Sequence, residues 1–196
     1  PSRVWVRPRQ STDTAQAQTF DAIVLSAGVH SAALARPLGV QIPLTAVYGH
    51  SISLAVREDM DAPVSAVMDE RYKVAISRLG QRVRVAGGAE IGGRIDRHGP
   101  RAFDTLHKVL YDWFPGAARH GRTGGQMQTW KGARPMLPEG PPLVGASAVP
   151  GLWLNLGHGS SGWALSCGSA RVLADQLGGR SPGLDAAALS PSRLTA

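Results

Sequence analysis

Residues 152–167 read LWLNLGHGSSGWALSC, and this stretch decides the fold more than any other. The apolar run Leu152–Leu156 is typical of a buried strand, and it leads into glycines at positions 157, 159 and 162. A long helix is predicted from residue 163 to about residue 177. Its buried stripe is expected to contain Leu165, Gly168 or Ser169, Val172, Leu173 and Gln176. A glycine-lined turn before a helix suits an anionic or electron-rich group, because free backbone N–H groups point outward there.

The spacing Gly157-x-Gly159-x-x-Gly162 matches the dinucleotide fingerprint. That fingerprint belongs to a βαβ unit whose second strand ends in an acidic residue about 20 residues further on. Residues 178–196 do not read as a buried strand, and Asp175 falls inside the helical pattern. A pyrophosphate site is therefore rejected. Either a ligand-binding helix N-terminus or a plain strand-to-helix turn remains.

A second apolar run, residues 20–28 (FDAIVLSAG), also ends at a glycine and predicts another strand of a parallel sheet. Between the two runs the pattern changes. Residues 43–49 and 51–56 read as strands, and residues 71–86 alternate apolar and polar positions like a hairpin. Residues 101–114 have helical spacing. The apolar face of this helix is formed by Phe103, Leu106, Val109 or Leu110, and Trp113. The predicted fold class is α/β plus α+β, in which an antiparallel insert interrupts an α/β framework.

Composition limits the class of partner. The formal charge is +7, but the basic residues are scattered and form no run, which argues against a nucleic-acid partner. The sign of the charge suits an anionic ligand or an anionic membrane surface. No apolar stretch is long enough for a transmembrane segment. The first residues, PSRVWV, resemble neither an initiator methionine nor a signal peptide, so the chain is expected to begin within a longer protein.

The cysteine, histidine and serine residues do not indicate a metal site or a nucleophile. Cys167 is the single cysteine, which suits a reducing compartment, and its apolar helical setting predicts a buried thiol. The six histidines show no metal-ligand spacing, so no metal is expected. Ser160 and Ser161 lack the glycines of a nucleophile turn. Arg134, in a loop before Pro135, could bind a carboxylate through two hydrogen bonds or could be a solvated surface charge.

Five segments in order resemble one family, the FAD-dependent D-amino acid oxidase/glycine oxidase flavoproteins, and within it the bacterial D-amino acid dehydrogenases. The segments are residues 21–28, 67–78, 82–91, 132–140 and 157–163. The likeness covers roughly residues 20–180, which correspond to the carboxy-terminal portion of such a protein. It implies part of an FAD-binding framework with an inserted antiparallel-sheet substrate domain.

The resemblance implies a role for each matching residue. Ser26, Ala27 and Gly28 would form the strand end that passes the phosphate and ribose of FAD. Gly157, His158, Gly159, Ser160, Ser161 and Gly162 would hold backbone N–H groups against the flavin ring and stabilise its reduced form. Arg134 would bind the substrate carboxylate, with Tyr72 and Tyr48 in the substrate pocket. Around Tyr48 the sequence AVYGHS departs from the family's usual Lys-Gly-Tyr, which puts the pocket there in doubt.

The expected organisation has four parts. Residues 1–45 would be a segment of the FAD domain, residues 46–115 the substrate-binding domain, and residues 116–180 the returning FAD-domain segment with the flavin-binding helix. Residues 181–196 would be a loose tail. The amino-terminal FAD-binding half, which would hold the ADP moiety, would be a separate partner.

The implied activity is oxidative deamination of a D-amino acid to a 2-oxo acid and ammonia by hydride transfer to FAD. Electrons would pass to an acceptor other than oxygen, with a quinone as a candidate. The implied location is cytoplasmic, or peripheral on the inner membrane. Two alternatives stay open: a glycine or sarcosine oxidase-like enzyme that uses oxygen, and a non-catalytic remnant or binding module without the ADP-binding half.

Overall fold

The computed structural model describes residues 2–6, 14–97, 99–118 and 127–195. Ten strands and three helices occur in these residues. In chain order they are β1 (Ser2–Val6), β2 (Gln16–Phe20), β3 (Ile23–Leu25), α1 (Ser31–Ala35), β4 (Thr45–Ala55), β5 (Val67–Asp69), β6 (Val74–Leu79), β7 (Arg82–Ile91), α2 (Pro100–Trp113), β8 (Gln128–Met136), β9 (Leu143–Ala146), β10 (Leu152–Leu156) and α3 (Gly162–Leu177). Short 3₁₀ turns connect several of them.

The chain forms two compact units. Unit 1 contains residues 1–45 and 134–196, and unit 2 contains residues 46–133. The second boundary falls inside β8, so this strand begins in unit 2 and ends in unit 1. Residues 116–118 and 127–133 therefore belong to the inserted unit, whereas the sequence pattern had placed the boundary after residue 115. The difference arises because β8 joins the sheet of the insert.

Unit 1 is built on a three-stranded sheet in the order β3-β10-β9. β3 runs parallel to β10, with Leu25 beside Leu154, and β9 runs antiparallel. Leu152, Leu154 and Leu156 point to one face and pack with Ala35 of α1. The alternate residue Trp153 points to the other face, where Val172 and Leu173 of α3 cover it. The prediction that the two strand segments share one structural unit is confirmed.

Unit 2 is an antiparallel sheet against one helix. The strand order is β5-β6-β7-β4-β8, and β5, β6, β7 and β4 pair antiparallel with their neighbours. The two strands expected around residue 50 form one strand, β4, with a register shift between Tyr48 and His50. One face of the sheet packs on α2. The core consists of Ile52, Leu54, Val74, Ile76, Val83, Val85, Leu106, Val109 and Leu110.

Three expectations about burial are wrong. Cys167 is exposed, and Leu165 is 42% exposed, because the first two turns of α3 do not lie on the sheet of unit 1. Trp113 is 61% exposed, and its indole donates a hydrogen bond to Asp69 (2.8 Å). The periodicity of a helix predicts which residues share a face, but it does not say whether another element covers that face.

The tail after residue 180 is ordered by specific contacts, contrary to expectation. It forms two 3₁₀ turns, Ala187–Leu189 and Pro191–Thr195. The Arg193 guanidinium donates to the carbonyl oxygens of Pro142 (3.2 Å) and Pro141, and Leu194 packs against the core beside α1. The chain end therefore packs against the residues that precede β9.

The end of α3 is held by one buried carboxylate. Asp175 accepts hydrogen bonds from Arg171 Nε (2.8 Å) and Arg180 Nε (2.9 Å), and its side chain is only 6% exposed. The hydrogen bond from Arg171, followed by that from Arg180, holds the pKa of Asp175 below its usual range. Asp175 thus joins the last turn of α3 to the residues that follow it. No helix among these residues has both the length and the apolar character needed to cross a bilayer.

We predict that Asp175→Asn lowers the midpoint of thermal unfolding at pH 7. Because the folded pKa is depressed, the contribution is complete above the unfolded value of about 3.9 and is lost as pH falls through the folded value. The difference between parent and variant should therefore shrink below about pH 4. Asp104→Asn, at an exposed position of α2, is the control and should leave the midpoint unchanged at every pH. An equal effect of both substitutions would contradict this account.

Candidate functional site

Two glycine turns meet at one edge of the unit 1 sheet. β3 and β10 are hydrogen-bonded parallel neighbours, so their carboxyl ends lie side by side. β3 is followed by Ser26, Ala27 and Gly28, and β10 by residues 157–162. Gly28, Gly157 and Gly159 all have a left-handed backbone (φ +56°, +80° and +58°). The carboxyl edge of such strands is where open α/β sheets bind ligands.

A local hydrogen bond stabilises the first turn, Ser26-Ala27-Gly28. Ala27 N–H donates to Ser31 Oγ (3.0 Å), and Ser31 is fully buried at the start of α1. Ser26 is exposed, while Ala27 and Gly28 are half-buried. No atom lies within 4 Å of a Cβ built at Gly28, so glycine is needed there for its backbone conformation rather than for space. Sequence reasoning missed Ser31, although a serine at the start of a helix is a common hydrogen-bonding position.

The second turn lies directly against the end of β8 and the residue after it. A Cβ at Gly157 would lie 2.4 Å from Leu137 Cδ1, and one at Gly159 would lie 2.7 Å from Met136 Sδ. Both distances are far shorter than any normal contact between such atoms. The glycines at these two positions are therefore required for the loop to approach β8. Met136 and Leu137 were not identified from sequence, because a close approach between distant segments leaves only the glycines as a signal.

Arg134 lies on the same face of β8 as Met136, because side chains two residues apart in a strand point to the same side. Met136 Sδ is the atom that meets the turn at Gly159. Arg134 is half-buried and belongs to unit 1. The strand thus directs Arg134 toward the side on which residues 157–162 lie.

The start of α3 suits an electron-rich group. Ser160 and Ser161 are exposed, and Ser161, at the N-cap, makes no side-chain hydrogen bond that would cap the helix. Its own N–H reaches the His158 carbonyl (3.2 Å) as part of a 3₁₀ turn. The first N–H groups of a helix carry partial positive charge, which favours an anion or a carbonyl oxygen.

His158 supports this turn from the side of α3. Its Nε2 lies 3.0 Å from Ser169 Oγ, and the Ser169 hydroxyl donates to the Ser166 carbonyl (3.2 Å). A hydroxyl has one proton, so Nε2 is the donor to Ser169. Burial lowers the pKa of His158, which keeps the ring neutral at pH 7. The neutral His158 ring therefore connects the loop at residues 157–162 to Ser169, in the second turn of α3.

The two expected pocket tyrosines belong to unit 2 and have different surroundings. Tyr48 is half-buried, with Lys131 Nζ 4.7 Å from the centre of its ring. Tyr72 packs against the core of unit 2, with the Arg71 guanidinium at 5.4 Å and Lys108 Nζ at 5.5 Å from its ring. All three are cation–π contacts.

Unit 1 thus assembles most of the residues identified from sequence. The turn at 26–28, Arg134 on its strand, and the turn at 157–162 are connected through β3, β10 and β8 within this unit. Tyr48 and Tyr72 belong to unit 2. Among the described residues, no group of three histidine, cysteine or acidic side chains is gathered as metal ligands would be.

Comparison with known proteins places this arrangement in a family. The family model described as FAD dependent oxidoreductase (DAO) matches residues 2–176, and the chain belongs to this family. It is 46% identical over 176 residues to a D-amino acid dehydrogenase of Cereibacter sphaeroides, covering 90% of this chain and 39% of that protein. A D-amino acid dehydrogenase of Rhodopseudomonas palustris is 47% identical over 173 residues, which cover 88% of this chain and 40% of that protein. The chain spans about two fifths of the length of these curated relatives.

Solved structures show the same fold. Iminodiacetate oxidase from Chelativorans sp. BNC1 superposes with a TM-score of 0.77 at 22% identity, over 90% of this chain and 47% of that one. Glycine oxidase from Geobacillus kaustophilus superposes with a TM-score of 0.72 at 23% identity, over 90% of this chain and 46% of that one. The expected class, part of an FAD-binding framework with an inserted antiparallel-sheet unit, is confirmed. FAD is the cofactor of the family.

We predict that Gly157→Ala destabilises the protein. The left-handed backbone alone costs a non-glycine residue about 1–3 kcal/mol, and the collision with Leu137 adds to it. Gly168→Ala is the matched control: it lies within α3 with open space around its Cβ position, so alanine should stabilise by about 0.5–1 kcal/mol. The free energy of unfolding in urea distinguishes the two. A neutral or stabilising Gly157→Ala would show that the turn does not approach β8 as described.

A pH profile tests the state of His158. Its folded pKa is lowered, so the unfolded chain takes up a proton first as pH falls below about 6.5. The stability that neutral His158 contributes is therefore complete above that value and declines toward pH 5. His158→Gln retains a side-chain amide that can donate to Ser169 but does not titrate. The difference in unfolding free energy between parent and variant should depend on pH in this window, and a flat difference would refute the assignment.

Proposed function

We propose that this chain is part of an FAD-dependent D-amino acid dehydrogenase, namely the part that holds the flavin ring and the substrate carboxylate. The observation that supports the proposal is the close approach of the turn at 157–162 to Met136 and Leu137, because Arg134 is on the same strand as Met136. The names of the relatives, which are 42–47% identical, support the substrate class. The enzyme is expected to act on D-amino acids.

The roles of the chain's residues follow from their positions. Backbone N–H groups at residues 157–162 would stabilise negative charge on the pyrimidine edge of the flavin, as preorganised donors do in other enzymes. The exposed Ser26 and the left-handed Gly28 would let the ribose and phosphate region of FAD pass close to the strand end. When bound, the flavin supplies the chemistry by accepting a hydride from the substrate α-carbon, after which the imino acid hydrolyses to a 2-oxo acid and ammonia.

Arg134 is the proposed carboxylate ligand. A guanidinium fork matches a carboxylate with two parallel hydrogen bonds, and Pro135 restricts the backbone immediately after it. This contact would orient the α-carbon and would be present in the ground state and the transition state alike. Tyr48 and Tyr72 are proposed as further substrate-binding residues, as the family resemblance implies.

We further propose that the ADP half of FAD is bound by residues outside this chain. After α3, the described residues up to 195 contain 3₁₀ turns and no strand. A pyrophosphate fingerprint needs such a second strand, with an acidic residue for the ribose. The 196 residues alone are therefore expected to bind FAD weakly. The electron acceptor is proposed to be a quinone, which would put the working enzyme at the inner membrane surface.

We predict that Arg134→Lys lowers kcat/KM for D-amino acids in the assembled flavoprotein that contains this chain. Lysine retains the charge but loses the bidentate geometry, which costs about 1.5–3 kcal/mol, or roughly one to two powers of ten. Most of the change should appear in KM, and amines without a carboxylate should be affected little. Flavin absorbance and turnover with an artificial electron acceptor provide the measurement.

Arg36→Lys, at an exposed position of unit 1, is the control and should leave the kinetics unchanged. Normal turnover by Arg134→Lys would remove Arg134 from the substrate site. A preparation without flavin absorbance or turnover in any variant would instead favour a non-catalytic module, and efficient turnover with oxygen would favour an oxidase.

A further inference from the structure

The face of the unit 2 sheet opposite α2 carries a concentration of positive charge. Side chains alternate along a strand, so the residues that alternate with the core positions Val83 and Val85 point away from α2. On β7 these are Arg82 and Arg84. We call this surface the arginine face. It belongs entirely to unit 2, and its role does not depend on the proposed flavin chemistry.

Arg84 is at the centre of the arginine face and has no acidic neighbour across the strands. It lies opposite Ser53 on β4 and opposite Ser77 on β6. Arg84 is half-buried, and among the described residues its guanidinium makes no ion pair or hydrogen bond. A half-buried guanidinium without a partner is an unusual arrangement, because burial of charge is normally compensated by pairing.

Arg82 contributes a second, fixed positive charge. Its Nε donates to Ser53 Oγ (2.8 Å) and its Nη2 to the Ser53 carbonyl (2.6 Å). Both acceptors are oxygen atoms of Ser53, and the two hydrogen bonds fix the direction of the Arg82 guanidinium.

The nearest acid on β7 is turned to the other side of the sheet. Glu90 is paired with the buried Lys131 (2.9 Å) and lies 3.4 Å from His50. The His50 ring meets the edge of Phe103 on α2 with centroids 5.6 Å apart, which places this cluster on the helix side. Glu90 therefore does not compensate the arginine face.

The indole ring of Trp130 forms a flat apolar surface in the same recess as Arg82 and Arg84. Its indole lies over Gly132: a Cβ built there would be 1.8 Å from Trp130 Cη2. The absence of a side chain at Gly132 thus allows the ring to lie along the strand, and Trp130 remains 57% exposed. Aromatic rings held in this way accept other rings by stacking.

These groups line one recess of about 430 Å³, which also contains Gln128. None of its described lining residues is acidic. The volume is within the range of small-molecule sites. We propose that this recess binds a small organic anion in which a carboxylate is attached to a flat ring. The carboxylate pairs with Arg84, Arg82 adds attraction, and the ring stacks on Trp130.

Calorimetric titration of the 196-residue chain with benzoate tests the proposal. Benzoate should bind, whereas benzamide, which has the same shape without the charge, should bind about tenfold or more weakly. Acetate, which lacks the ring, should also bind more weakly than benzoate. Equal binding of benzoate and benzamide, or no benzoate binding, overturns the proposal. If acetate binds as well as benzoate, the ring-stacking part of the proposal is overturned.

Arg84→Gln should abolish the preference for benzoate over benzamide, and Arg84→Lys should retain part of it. Arg101→Gln, at an exposed position of α2, removes the same charge elsewhere and should leave benzoate binding unchanged. If Arg84→Gln binds benzoate as the parent does, or if Arg101→Gln weakens it equally, the site is not at Arg84. If circular dichroism shows that Arg84→Gln is unfolded, Arg84→Lys and the comparison of the three ligands with the parent chain decide the question.

Discussion

The close approach of two glycines to β8 is the contact on which the candidate site depends. A Cβ at Gly157 would lie 2.4 Å from Leu137 Cδ1 and one at Gly159 would lie 2.7 Å from Met136 Sδ, so a larger residue at either position would displace those side chains. This contact joins the turn after β10 to the end of β8, which comes from a different part of the chain. The proposed site, in which Arg134 and the N-terminus of α3 act together, depends on this contact.

Much of this organisation could be predicted from local pattern. The apolar runs before Gly28 and Gly157 are parallel neighbours, and the alternation around Val74 and Val83 is a hairpin. The spacing of the apolar residues and the positions of the glycines were enough to predict these strands and turns, because both are determined by local residues. The same reasoning selected Arg134 and residues 157–162 as candidate site residues, since each lies in a short motif with a recognisable setting.

Errors arose wherever a residue's environment depends on a distant segment. Cys167 and Leu165 have the apolar spacing of buried residues but are exposed, because no described element covers the first half of α3. The tail after residue 180 looked loose because its order comes from Arg193 reaching carbonyl groups about fifty residues earlier in the chain. The boundary after residue 115 was placed too early because β8 extends the inserted sheet. Met136 and Ser169 act through contacts with other segments, which no local motif indicates.

We propose that this chain holds the flavin ring and that other residues bind the ADP half of the cofactor. The most direct measurement is a titration of the 196-residue chain with riboflavin and, separately, with ADP, followed by backbone amide NMR. The account predicts riboflavin-induced shifts concentrated at residues 157–162 and at 26–28, with none of comparable size from ADP. Shifts at residues 157–162 caused by ADP but not by riboflavin would contradict it.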